Sequence, residues 1–254
     1  MQNPPTYAGD THMEIFPTDQ AMGEAAAAYA ATFLRNTLEA RGEANIAIAT
    51  GNSQLSFFAA LRQQENIDWS RVRVFHLDEY VGITASHPAS FRAFLTREFV
   101  TPLQPKYFHG IEGDGEDIHQ VLSAYTTLLE AHPLDLCCMG IGENGHLAFN
   151  DPPYADFADP EMIKQVKLDE ASRHQQVGEG HFPSIDTVPT HALTLTIPTL
   201  LSATSVLVMV PEARKARAVQ RALQGPVTED VPASILQQTP HAKLLLDQDA
   251  ASKL

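Results

Sequence analysis

Cysteine is nearly absent from this 254-residue chain; the only two, Cys137 and Cys138, are adjacent. Neighbours on a strand point to opposite faces, which excludes a disulfide between them. Two buried thiols in a reducing compartment are expected instead. No apolar run reaches the ~18 residues of a membrane span. Met1-Gln2-Asn3-Pro4-Pro5 has neither the basic start nor the apolar core of a signal peptide. Basic residues are scarce: 17 Lys and Arg stand against 31 Asp and Glu, for a net charge of −14. That excludes a nucleic-acid surface, which works by displacing counterions, and docking on anionic lipid. An anionic substrate would need a local cluster of donors against this global field. Metal-ligand spacing is missing too: no His-x-x-x-His, no Cys paired with His, no EF-hand order. Nor is there a Gly-x-Ser-x-Gly elbow. The expectation is a cytoplasmic protein without metal or cofactor, acting on a small molecule, and compatible with a homo-oligomer.

What is present is an ordinary globular composition, 44% hydrophobic and 19% charged, in a chain of one-domain length. Helical and strand patterns alternate. Residues 13–16 read as a short strand. Residues 18–39 read as an alanine-rich helix with Thr18 or Asp19 at its N-cap and Gly42 as its stop. Strands follow at 45–49, 72–77, 134–139, 192–196, 205–210 and 243–246, and helices at 53–64, 88–99, 117–130 and 212–223. This implies an α/β domain spanning residues 1–254: an open, mostly parallel, Rossmann-like sheet with helices on both faces. Residues 152–189 break the rhythm with scattered prolines and many charges. A functional lid and a surface excursion without a role fit that composition equally.

In a parallel sheet, the loops after the strands gather at one edge. Four of them carry chemistry. Thr50-Gly51-Asn52-Ser53 places small residues and a glycine before a helix, a loop whose N–H groups suit phosphate. Read alone, it is also a plain turn with Ser53 as a cap. Asp78-Glu79 pairs two carboxylates at a strand end, where each raises the other's pKa and tunes a base for proton abstraction beside a carbonyl. Gly140-Ile141-Gly142-Glu143-Asn144-Gly145-His146 follows a buried strand and leads to Asp151. His146 can move a proton near neutral pH, Asp151 can set its tautomer, and Asn144 can orient either partner. After the strand ending at Val210, Arg214 or Lys215 can reach a phosphate, or sit on a solvated basic face. Metal-free proton transfer is the chemistry these loops allow.

From about Ala47 onward, the chain resembles the glucosamine-6-phosphate deaminase (isomerase) family, which shares its fold with 6-phosphogluconolactonase. The resemblance rests on Ala49-Thr50-Gly51-Asn52-Ser53, Leu77-Asp78-Glu79-Tyr80-Val81-Gly82, His87-Pro88-Ala89-Ser90-Phe91, the glycine loop through Phe149-Asn150-Asp151-Pro152, Val188-Pro189-Thr190-His191, and Lys215-Ala216. It implies isomerisation of an open-chain 2-amino-hexose 6-phosphate through an enolamine, then loss of ammonia to give fructose 6-phosphate. Asp78 matches the base that moves a proton from C2 to C1. His146 matches the ring-opening acid, with Asp151 and Asn144 as its polar supporters. Thr50, Gly51, Asn52 and Ser53 match the phosphate loop and Lys215 the phosphate lysine; Glu79, Gly145 and Arg173 are further binding residues on this resemblance. The chain departs from the pattern at Asn144, where aspartate is common, at Asp151, where glutamate is usual, and around residues 173–182. There Arg173 matches an arginine slightly upstream of the family's phosphate-binding one. The alternatives are a lactonase of the same fold, separable by lactone hydrolysis against ammonia release, and a silent sugar-phosphate sensor, separable by ligand binding without turnover.

Overall fold

The computed structural model describes residues 6–8, 11–168, 170–178, 180 and 182–254. In chain order the elements are β1 (Thr6–Ala8), β2 (Thr11–Phe16), α1 (Asp19–Arg41), β3 (Ala44–Ile48), α2 (Leu55–Leu61), β4 (Val72–His76), β5 (Asp78–Tyr80), α3 (Phe91–Leu95), α4 (Thr101–Leu103), β6 (Tyr107–His109), α5 (Ile118–Ala131), β7 (Leu136–Met139), β8 (Ile163–Lys167), α6 (Glu170–Gly178), β9 (His191–Leu195), α7 (Ile197–Leu201), β10 (Ser205–Val210), α8 (Ala216–Gln224) and β11 (Ala242–Asp247).

The main sheet runs β1-β2-β11-β10-β7-β3-β4-β6. Every neighbouring pair is parallel except the edge hairpin β1–β2. Its inner strands are buried on both faces, which is why β7 reads as an unbroken apolar run, and β3 and β10 as apolar runs interrupted only by Asn45 and Ser205, rather than as alternations. Cys137 belongs to the apolar layer on one face and Cys138 to the layer on the other, as strand geometry requires. The chain leaves β3 toward β4 and β6, then returns to β7 and runs the other way through β10 and β11. The strand order therefore reverses between β3 and β7, and ligands of open α/β sheets bind in the crevice at such a point.

The first helix is capped as its sequence indicates: the Thr18 side chain accepts from Ala21 N, and Gly42 closes it at φ 84°. Its buried alanines let it lie close to α2; a Cβ on Gly23 would come within 2.6 Å of Ser56.

Several boundaries and one placement differ from the sequence reading. Residues 192–196 do not extend the parallel sheet. They form β9 of a second, three-stranded antiparallel sheet, β5-β9-β8. An apolar run tells that a strand is buried, not which sheet it joins. The helix expected at 88–99 begins at Phe91, capped by Ser90, and widens into a π turn at Thr96–Val100. The helix expected at 53–64 is a 3₁₀ turn, Asn52–Gln54, followed by α2. The helix expected at 212–223 opens with a 3₁₀ turn, Ala213–Lys215. Residues 152–189 supply β8 and α6, and bury Ile163, Val166, Leu168 and Phe182. This segment is thus a wall held by the small sheet, not a structureless excursion.

Candidate active site

The loops that follow β3, β4, β7 and β10 meet at the C-terminal edge of the main sheet, as parallel topology requires. They line one open cavity of about 970 Å³, mouth included. Thr50, Gly51, Asn52, Ser53, Asp78, His146 and Lys215 all face it. The sequence reading expects these loops to gather at one edge; the strand-order reversal is where they meet.

The loop after β3 bends at Gly51, whose φ of 104° disfavours a side chain. It packs close to the loop after β7: a Cβ on Gly140 would stand 3.1 Å from Ser53 Oγ and 3.3 Å from the Met209 carbonyl oxygen. Glycine there keeps the phosphate-type loop and the histidine loop in contact.

The loop after β7 is built around the imidazole. His146 Nδ1 lies 3.0 Å from Asp151 Oδ1, and Asn144 Nδ2 donates to the same oxygen at 2.8 Å. Asn144 Oδ1 accepts from His146 N at 3.0 Å. Since Asp151 is buried, its carboxylate places a proton on Nδ1 and leaves Nε2 to face outward. The ring lies flat against Gly142, where any Cβ would be 2.1 Å from Nε2. Asn144 and Gly145 do not line the cavity; they shape the turn that presents His146. Gly145 adopts φ 96°, and its carbonyl accepts from Ala233 N at 2.8 Å. The buried Asn150 donates to Leu147 O and Leu195 O at 2.8 and 2.9 Å, tying this loop to β9.

Asp78 and Glu79 are neighbours with different environments. Strand β5 turns them to opposite sides. Asp78 faces the cavity, is 7% exposed, and its Oδ1 has no hydrogen-bond partner among the described residues. Burial, with Glu79 beside it, pushes its carboxyl up to about 8. Glu79 does not line the cavity. Its carboxylate accepts from Tyr80 N (3.0 Å), Ser90 Oγ (2.8 Å), Phe91 N (3.1 Å) and Arg92 N (2.9 Å). Burial raises the Glu79 carboxyl too, but these four donors favour its charged form. Both carboxyls are raised by burial, but donors surround only Glu79, which leaves Asp78 as the carboxyl suited to a tuned base. By fastening the start of α3, Glu79 also places Ser90 and Phe91 in the cavity wall.

Opposite stands the turn after β10. Lys215 is 8% exposed and faces the cavity. Arg214, also in the wall, binds Glu143 Oε1 at 3.0 Å and the Glu212 carboxylate. Glu212 takes φ 81° and ψ 136°, a conformation that costs a residue with a side chain about 1–3 kcal/mol. Arg173 is placed elsewhere: its guanidinium donates to Ile185 O and Val188 O at 2.6 and 3.1 Å, fastening the wall segment to itself, and it does not line the cavity. That segment instead contributes Gln176. No sequence signal marked Gln176, nor the strained Glu212. Ser90 and Phe91 lay in a recognised motif whose spatial role was not evident. Among the described residues, no three His, Cys, Asp or Glu side chains converge to hold a metal ion, and no helix is long and apolar enough to cross a membrane.

Residues 17–246 match the family model described as glucosamine-6-phosphate isomerases/6-phosphogluconolactonase. A glucosamine-6-phosphate deaminase of Streptomyces avermitilis is 37% identical over 248 residues, 94% of this chain and 91% of that protein. One of Bacillus cereus is 34% identical over 219 residues, 86% of this chain and 81% of that protein. Among solved structures, a monomeric glucosamine-6-phosphate deaminase superposes with a TM-score of 0.86 at 29% identity, covering 95% of this chain and 99% of that one. A 6-phosphogluconolactonase from Shewanella baltica superposes at 0.78 with 18% identity, covering 95% and 100%, a likeness of fold alone. With residues 17–246 matched by the family model and nearly the whole chain superposing on a solved structure, the chain belongs to the glucosamine-6-phosphate isomerase/6-phosphogluconolactonase family.

Proposed function

We propose that this protein converts glucosamine 6-phosphate and water to fructose 6-phosphate and ammonia. The observation that carries the reading is the joint placement in one cavity of Asp78, one of whose carboxyl oxygens is buried without a partner among the described residues, and the Asp151-backed imidazole of His146. The pyranose has no aldehyde, so its C2 proton is not acidic. His146 gives a proton to the ring oxygen while the anomeric hydroxyl loses its own to solvent, and the ring opens to the aldehyde. Asp78, ionised at that point, removes the C2 proton, and the electron pair moves through C1 onto the former carbonyl oxygen. The same carboxyl returns the proton to C1 as the nitrogen lone pair closes a C2=N bond, and the former carbonyl oxygen takes a proton from that nitrogen, which leaves an imine at C2 and a hydroxyl at C1. Water adds to that imine and ammonia departs. A base tuned near the working pH suits a proton that must be both taken and returned.

Phosphate binding falls to loop 50–53 and the Lys215 ammonium. They supply the local donors that a chain of net charge −14 needs for an anionic substrate. Holding the anion at one end fixes C1 and C2 between the two proton-transfer groups. Asn144 and Asp151 act through His146, and Glu79 acts through Asp78 and the start of α3. Arg173 holds the wall segment together. The protein acts without a metal on a soluble amino-sugar phosphate, in the cytoplasm.

The test is ammonia release from glucosamine 6-phosphate, run beside hydrolysis of 6-phosphogluconolactone. Ammonia with fructose 6-phosphate supports the assignment. Lactone hydrolysis with no ammonia reassigns the site to the lactonase reaction.

A further inference from the structure

Strand β11 ends in a buried carboxylate that the proposed chemistry does not use. Asp247 is 5% exposed, and both of its oxygens accept from Glu212 N, Oδ1 at 3.2 Å and Oδ2 at 3.0 Å. Oδ1 also accepts from Ala250 N at 2.7 Å. Glu212 is the residue at φ 81° and ψ 136° in the cavity wall. Its carbonyl in turn accepts from Lys215 N at 3.0 Å. A chain of contacts thus runs from the end of β11, through a strained backbone, to the lysine that faces the cavity.

The strain has a visible counterpart. A glycine at 212 would hold this backbone at low cost, but glycine has no carboxylate. The Glu212 carboxylate binds Arg214, which also reaches Glu143 on the loop that carries His146. The side chain at 212 therefore braces the lysine turn against the histidine loop, and the backbone at 212 needs an outside hold. Strained residues persist only where their surroundings over-determine them, and the two-oxygen grip of Asp247 is that hold.

We infer that Asp247 is a positioning residue for anion binding: it clamps the strained Glu212 turn and so sets where the Lys215 ammonium stands in the cavity. This rests on the proposed reading of Lys215 as the phosphate ligand. Releasing the clamp lets Glu212 relax to negative φ, which rotates the following turn and withdraws Lys215.

The test uses steady-state kinetics on glucosamine 6-phosphate and competitive inhibition by inorganic phosphate. Asp247→Ala, with Asp247→Asn as the milder variant should alanine not fold, is expected to raise KM and the phosphate Ki together, by about tenfold or more, with kcat within about threefold. The same substitution made in a Glu212→Gly background should change KM less than about twofold relative to Glu212→Gly alone, because glycine holds the turn without a clamp. A folded Asp247 variant with unchanged KM and Ki overturns the inference, as does an equal KM increase in both backgrounds. Loss of thermal stability with unmoved KM reduces Asp247 to a cap for residue 250 and overturns it too. Absence of ammonia release by the wild type would refute the proposed function instead. The clamp would then be read by calorimetric titration of inorganic phosphate into wild type and Asp247→Ala, where equal affinities overturn it.

Discussion

Replacing Asp78 by asparagine should stabilise the free protein at alkaline pH while removing its activity. Asp78 is 7% exposed beside Glu79, with one carboxyl oxygen lacking a partner among the described residues. In the folded protein it keeps its proton up to about 8, whereas in the unfolded chain it loses it near 3.8. Between these values the folded state binds the extra proton. Stability from this group is therefore complete below about 3.8 and declines as pH rises, until it is gone above about 8. At about 1.4 kcal/mol per pH unit, the interval from 3.8 to about 8 sets a ceiling of about 6 kcal/mol. Asparagine does not titrate and escapes the whole decline. Even a third of the ceiling, about 2 kcal/mol, raises Tm by roughly 4–8 °C in a chain of this size. The assay is thermal unfolding of ligand-free wild type and Asp78→Asn from pH 4 to 9. Carboxylates other than Glu79 titrate alike in both proteins, so the difference in Tm reports this carboxyl together with its coupling to Glu79. It should open with rising pH and shrink toward pH 4. A difference that stays constant, or a wild type that gains on the variant as pH rises, would refute the assignment of a buried proton to Asp78. In the same protein, ammonia release should vanish, since an amide cannot accept the C2 proton. Wild-type kcat/KM should rise with pH through about 8, as the free enzyme's base ionises.

His146→Gln should lower kcat by about 10²–10⁴-fold, with part of the loss recovered on a substrate that is already acyclic; no recovery would take ring opening away from His146. Lys215→Ala and Arg173→Ala should separate cleanly. The lysine variant raises KM for the phosphorylated sugar by about tenfold or more. The arginine variant leaves KM nearly unchanged and lowers Tm, because losing the donor to two backbone carbonyls costs about 1–3 kcal/mol. A large KM increase in Arg173→Ala, with Tm unmoved, would return that residue to the phosphate. Gln176 lines the cavity and is 8% exposed, and its carbonyl oxygen is buried without a partner among the described residues. It can accept only from an O–H or N–H, which a phosphate dianion does not carry. Gln176→Ala should therefore lower kcat/KM for the amino sugar by about tenfold or less and leave inhibition by inorganic phosphate unchanged; weakened phosphate inhibition would contradict that placement.

Most of the main sheet was legible because burial on both faces writes strands as apolar runs and their crossovers as amphipathic helices. Thr18, Gly42 and the cysteine pair behaved as their local chemistry indicates, since a cap or a strand neighbour depends only on residues within one turn. Strand β9 was legible as a strand but not as a member of the small sheet, because its pairing with β5 and β8 is settled by residues far away in sequence. Strand β8 and helix α6 were missed inside a polar, proline-bearing stretch whose apolar residues are too widely spaced to show a period.

The site divides in the same way. His146 stood out by residue type and position, while Asp78 as the base and Lys215 in preference to Arg214 came from the resemblance; parallel strands deliver all three loops to one edge, and all three line one cavity. Glu79 and Arg173 could not be assigned from residue type, since a carboxylate or guanidinium serves equally as a ligand or as a fastener. Only the fold shows which donors and acceptors surround them. Asp247 and Glu212 lie 35 positions apart and no local pattern joins them; their contact exists because β10 and β11 pair in parallel and end together. By itself the sequence determined the chemistry available to this protein and the edge of the sheet where it gathers. Tertiary structure decided which of two adjacent carboxyls is surrounded by donors and which charged side chains hold the walls, because both depend on burial and on partners that long-range packing supplies.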